Sequence, residues 1–312
     1  MNVASGFRNG LAVLVMLAVG GAGAPSNPAE GGRLCSVHIS LGETTVVEGQ
    51  WADLFVALRN ESSHPLGLPN NAHERVDILV RRRADGEEVE AWTLAFNAGR
   101  VSATIPGAAI PHAPGAAMVF EKVVMMDGDT RFLFGSPGRY ELKARIRGIR
   151  SAEITEGGES NVVELVVRPG PESEDGRLAE VLGMVRARHR VDRKRVSFED
   201  MYEAWRRNGS VHPQFSAEVG IGLLDRARGE QSSELARTGA WALVDVLTDA
   251  DGSNDVVVAR CIRRLIKSHR RWPSLLTHEV RSAIERRLDE EREYPASVVF
   301  AQLSDAYRAI PD

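Results

Sequence analysis

Two cysteines in 312 residues are too few for a disulfide scaffold, so any core must come from apolar burial. Positive charge is not in excess: the formal net charge of -4 at pH 7 excludes a generally basic nucleic-acid binder. Aromatic residues make up only 6% of the chain. No apolar run approaches the roughly 20 residues needed to span a bilayer, the longest being LAVLVMLAV from Leu11 to Val19. Also missing are the G-x-S-x-G elbow of serine hydrolases, the P-loop and the dinucleotide fingerprint. No catalytic, cofactor-binding or metal-binding set is therefore assigned, and no cofactor is expected.

A hydrophobic share of 43% supplies material for sizeable cores, and the length predicts about two domains. The run from Leu11 to Val19 follows Arg8 and precedes GGAGA. Charge, short apolar core and small-residue exit are the three parts of a secretory signal peptide. Residues 1–24 are read as that signal, with the mature chain starting near Gly23 or Pro25, and residues 25–32 as a spacer. Cys35 follows the apolar run too late to be a lipid-modified cysteine. Once the signal is removed, no transmembrane span is expected.

From residue 33 to 169 the apolar residues recur at period two. Leu54, Val56 and Leu58 share one face, as do Val76, Ile78 and Val80. Tyr140, Leu142, Ala144 and Ile146 form another apolar face, with Glu141, Lys143, Arg145 and Arg147 expected on the water side. Further strands are expected over Cys35 to Leu41 and within EVEAWTLAF, AMVFEKVVMM and SNVVELVVRP. Seven or so short strands punctuated by turns favour two packed antiparallel sheets. Ser136-Pro137-Gly138 makes a corner directly before Tyr140, whose ring can be buried while its hydroxyl bonds back to the turn.

That corner, the strand ending at Asn60 and the last strand opening with Ser160-Asn161-Val162 together resemble exported immunoglobulin-like domains. The resemblance implies an immunoglobulin-like antiparallel β-sandwich over residues 33–169, with Tyr140 as its tyrosine corner. Val56 and Ala144 stand in the regions where antibody-type domains place their inter-sheet disulfide, so this sandwich is expected to hold together by burial alone, at about 25 cal/mol per Å².

Residues 170–176 form a breaker-rich acidic linker, after which the period changes to about 3.6. An all-helical domain is expected over residues 177–312. Its first helix carries Leu178, Val181, Leu182 and Val185, and Ser197 with Asp200 forms a capping-box start for FEDMYEAWRR. Further helices are expected from Phe215 to Arg228, Ser233 to Leu247, Asp255 to His269, Leu275 to Arg292 and Ala296 to Ile310. Gly239, Ala240 and Ala283 permit close helix approach, in either a bundle or a short HEAT-like solenoid.

Several motifs resemble sites without completing them. His278-Glu279 opens like a zinc-protease helix, but Ser282 stands where the second histidine must be. The DADGSND stretch, Asp249 to Asp255, lacks calcium ligands at both ends of its loop, and reads instead as a helix-to-helix turn capped by Asn254 or Asp255. Glu199 and Glu203 share a helix face, where dipole pairing and Arg206 or Arg207 account for them. The basic run from Arg186 to Arg195, with Trp205 nearby, reads as a solvated face. Contact with an anionic envelope polymer, lipid headgroups or an acidic patch on the sandwich is its second reading, and nucleic acid is not expected. Cys35 and Cys261 fall in different domains and are expected to be free, buried thiols.

These features together predict an exported, cell-envelope-associated binding or scaffolding protein whose partner is a protein or an envelope polymer. The alternative is an exported hydrolase or enzyme inhibitor with its site at the domain junction. A pocket gathering His64, His73 or His112 with a carboxylate would favour that alternative.

Overall fold

The computed structural model describes residues 34–69, 75–83, 90–97, 109–127, 133–146, 158–170, 176–189, 196–209, 212–249 and 254–311. Its first part is made of β-strands and its second of α-helices. The strands are β1 (Cys35–Leu41), β2 (Thr45–Val47), β3 (Ala52–Asn60), β4 (Leu66–Pro69), β5 (Val76–Arg83), β6 (Thr93–Asn97), β7 (Ala109–His112), β8 (Ala117–Asp127), β9 (Gly138–Ile146) and β10 (Val163–Arg168). β2, β4 and β7 are too short for alternation to reveal, and sequence reasoning did not foresee them.

Eight strands join in the order β1-β3-β8-β6-β5-β9-β10-β2, and β4 pairs with β7 in a separate ribbon. Neighbours are antiparallel except β2, which runs parallel to β10. β8 links the two halves of the sheet: Ala117 to Val124 pair with β3, and its far end pairs with β6 through a register shift at Phe96 and Asn97. The sheet folds over, because one apolar cluster contains Leu54, Val56 and Leu58 of β3 together with Ile78, Val80, Leu142, Ala144 and Leu165 from the other half. Val56 and Ala144 are both fully buried in that cluster. No disulfide is needed there, since each large apolar side chain moved out of water contributes about 1.5–3 kcal/mol.

Tyr140 fulfils the geometry expected of it. It is 5% exposed, its hydroxyl donates to Ser136 O at 2.9 Å, and its ring meets Phe134 edge-on at 5.3 Å. Gly138, with φ 146°, allows the preceding turn. Asn161 completes the far edge: its amide accepts from Ile39 N and donates to Ile39 O, both at 2.9 Å, tying the segment before β10 to β1. One expectation is corrected. Glu141, read as facing water, is only 6% exposed, because Arg81 and Arg83 close over its carboxylate.

The helices are α1 (Gly176–His189), α2 (Phe198–Asn208), α3 (Pro213–Glu230), α4 (Ser233–Thr248), α5 (Asp255–His269), α6 (His278–Leu288) and α7 (Ala296–Arg308). The expected capping box forms at α2, where Ser197 and Asp200 satisfy each other's backbone donors. The single helix expected from Leu275 to Arg292 is instead a 3-10 turn, Pro273–Leu275, followed by the shorter α6 with Thr277 as its cap. α3 and α4 lie close because Gly220 and Gly239 face each other, and a methyl group on either would come within 2.9 Å of the other's carbonyl oxygen. Close contacts link α1 to α3, α3 to α5, α5 to α7 and α4 to α6. α5 also touches β3, so helices roof one face of the sheet. Among the described residues, no helix is long and apolar enough to cross a membrane.

Candidate functional site at the junction of sheet and helices

β3 is buried on both faces, which a strand on the surface of an independent sandwich would not be. Its inward residues, Leu54, Val56 and Leu58, lie in the core of the sheet. The alternate residues point the other way and are absorbed by the helices. Trp51, just ahead of β3, packs with Val181, Met201, Phe215, Val219 and Leu223. Phe55 and Ala57, with Val119 of β8, join the cluster of α3 to α7. The opposed pairs Asp53–Val123, Phe55–Glu121 and Ala57–Val119 thus place the buried Asp53 inside an apolar interface and the partly exposed Glu121 at its margin.

Burying carboxylates costs several kcal/mol unless partners are supplied, and the helices supply them. Asp53 Oδ2 accepts from Gln214 Nε2 at 2.6 Å and from Asn254 Nδ2 at 2.9 Å. The same Asn254 nitrogen donates to Glu43 Oε1 at 3.0 Å, and Gln50 Nε2 donates to that oxygen at 2.6 Å. The orientation of the Asn254 amide is fixed. Its oxygen caps α5 by accepting from Val256 N and Val257 N, so both amide hydrogens must face the carboxylates. Glu121 pairs with Arg263 at 2.7 Å, and Arg260 with Glu218 at 2.7 Å.

The backbone takes part as well. Gly42 N donates to Asp53 O, and Asp255 N donates across the junction to Gly42 O, both at 2.8 Å. Glycine is required at residue 42, because a methyl group there would collide with Asn254 Oδ1.

Desolvation pushes the Glu43 carboxyl up to about 8, reinforced by the nearby Asp53 charge. Burial pushes Asp53 up to about 6, against the pull of Arg260 and of its two amide donors. Asp53 Oδ1 and Gln214 Oε1 are buried without a hydrogen-bond partner among the described residues. Arg260 stays charged: burial opposes its charge, but Glu218, Glu121 and Asp53 outweigh that and raise it. Burial pushes His212, just ahead of α3, down to about 4.

The residues singled out from sequence lie elsewhere. His278 and Glu279 occupy the first turn of α6. Glu199 pairs with Arg226 at 2.9 Å and Glu203 with Arg206 at 3.6 Å, so the two carboxylates are held by separate ion pairs. Arg207 reaches Glu180 instead, at 2.9 Å. Asn254 is the cap expected after the DADGSND stretch, of which residues 250–253 lie outside the described residues. So do His73 and residues 190–195 of the basic run. The Trp205 ring stacks on Tyr202 at 6.2 Å. His64 is exposed and His112 buried, and Asn60 Nδ2 joins their backbone carbonyls at 2.8 Å each. Cys35 and Cys261 are free and buried in separate clusters, and desolvation pushes both thiols up to about 12. Among the described residues no group of three or more potential metal ligands forms.

Sequence reasoning missed Asp53, Glu43, Gln214 and Asn254 as a set. A signal was present: Asp53 interrupts an apolar strand at a position whose strand neighbours, Trp51 and Phe55, are both large and apolar.

No family model and no curated protein matches the chain. Among solved structures, the CARDB domain of a Pyrococcus furiosus protein is 12% identical, covering 46% of this chain and 95% of that one with a TM-score of 0.23. The sporulation control protein Spo0M of Bacillus subtilis is 11% identical, covering 49% and 55% with a TM-score of 0.25. A β-glucosidase of Listeria innocua is 13% identical, covering 44% of this chain but only 16% of the enzyme, with a TM-score of 0.23. Likenesses this slight assign no family, and the chemistry of the site is read from its own residues.

Proposed function

We propose that the chain is an exported, cell-envelope-associated binding or scaffolding protein: an immunoglobulin-like sandwich braced on one face by a short HEAT-like stack of helices. The strand order, the parallel β2–β10 pairing and the Tyr140 corner support the sandwich reading. Contacts between helices two places apart support the stack. The signal-like N-terminus supports export.

The observation that carries the binding role is the outer face of β5 and β9. There Arg81 and Lys143 lie 4.5 Å from the centre of the Trp92 ring, and Arg83 and Arg145 keep 50% and 47% of their side chains in solvent. Arg81 is paired with Glu141 and Lys143 with Glu159, so the face offers an aromatic ring among balanced charges, a composition that suits the polar groups of a protein or envelope polymer. A second reading, an exported hydrolase or inhibitor, draws on Glu43 and Asp53, whose raised carboxyls are of the kind acid–base chemistry uses.

N-terminal sequencing of the native protein after cell fractionation tests export. A start near Gly23 or Pro25 outside the cytoplasm is expected, whereas intact Met1 in the cytosol would overturn it. Co-sedimentation with purified cell-wall polymer tests binding: retention of the wild type and loss on Trp92→Ala with Lys143→Ala is expected. Equal retention of both would refute a role for this face.

A further inference from the structure

The junction holds two carboxylates on one donor whose orientation cannot change, which is more than packing the helices on the sheet requires. Glu43 comes from the β1–β2 connection and Asp53 from β3, and both lean on Asn254 Nδ2, which belongs to the helices. Each retains an oxygen outside these bonds, and that of Asp53 is buried with no donor. A proton placed there converts an unpaired acceptor into a donor and leaves the Oδ2 bonds intact.

We propose that Glu43, Asp53 and the Asn254 amide form a proton-operated latch that clamps the helices onto the sheet in acid and loosens them as pH rises. The groups facing the pair do not compete for this role. Arg260 of α5 stays charged against Glu218 of α3, and Glu121 of β8 is neutralised by Arg263 of α5. Gln50, Gln214 and Asn254 do not titrate, and His212 is neutral above about 4.

The sign follows from the direction of the shifts. Both carboxyls hold their protons more tightly when the junction is closed than in water, so opening releases protons. Closure is strongest below the ordinary carboxyl range and is lost as pH climbs through about 6 for Asp53 and about 8 for Glu43. Between a group's ordinary and raised values, each carboxyl changes the opening equilibrium by up to about tenfold per pH unit.

The Asp255 amide reports closure directly, because its N–H crosses the junction to Gly42 O. Hydrogen exchange of the full chain, corrected for the intrinsic pH dependence of exchange, should show Asp255 protection falling at least about tenfold from pH 5 to 8.5. Protection at Val244, inside α4, should not follow it. In the E43Q/D53N chain, Asp255 protection should stay level across the range. If that chain fails to fold, E43Q alone should abolish the part of the fall above pH 6. An equal fall in wild type and variant, no fall in wild type, or a parallel fall at Val244 would each overturn the latch.

Discussion

On β3 the outward residues Asp53, Phe55 and Ala57 are at most 1% exposed, whereas on the face shared by β5 and β9 the outward Arg81 and Arg83 of β5 keep 28% and 50% of their side chains in solvent. Both sets arise from the same alternation, and both contain a carboxylate on the outward face. The difference lies in what answers that carboxylate. Glu141 is neutralised within its own sheet by Arg81 and Arg83, while Asp53 is answered by Gln214 and Asn254, which lie more than 150 residues away. Local partners leave a face self-sufficient. A face that depends on distant partners is fixed to the element that carries them.

The largest test of this contrast is truncation. Phe55→Ala, which removes a fully buried ring from the roofed face, should cost about 3–5 kcal/mol in urea unfolding. Leu94→Ala, on the open side with Leu94 46% exposed, should stay within about 0.5 kcal/mol. Comparable costs at the two sites would erase the distinction between the faces.

Asn254→Ala should cost about 2 kcal/mol, because it removes the α5 cap and leaves the buried Asp53 and the half-buried Glu43 short of a donor. Asn254→Asp sharpens the point. It keeps a capping oxygen but brings a third carboxylate to the junction, so its deficit relative to wild type should grow as pH rises from 5 to 8. A deficit independent of pH would show that only the cap matters.

In the core shared by both halves of the sheet, Tyr140→Phe should cost about 1 kcal/mol through its bond to Ser136. Denaturation curves that superimpose would remove the corner's hydroxyl from the stability of the fold. The smallest effect is expected on the open face. Arg83→Ala, whose side chain is half in solvent, should cost less than about 1 kcal/mol and lose even that in high salt. A larger, salt-insensitive loss would mean that this face too is covered.

Much of this was legible from pattern. Cys35 to Leu41 and Asp255 to His269 form a strand and a helix with the expected bounds, because continuous periodic signals flanked by turn or capping residues leave little choice. The spacing from Leu275 to Arg292 predicts one long helix because its apolar residues continue from the 3-10 turn Pro273–Leu275 into α6, which Thr277 caps. Alternation places Glu141 in water because it assigns faces and says nothing of the arginines on the neighbouring strand.

The sequence by itself determined which residues of each strand share a side and where α2, α4 and α5 begin. These depend on local backbone geometry and on spacing along the chain. Only the tertiary structure decided that the outward side of β3 is interior, and that Glu43, Asp53, Gln214 and Asn254 meet. Alternation is identical for a strand with one covered face or two, and the donors that make burial of Asp53 tolerable come from helices whose approach is set by packing against Trp51 and Phe55.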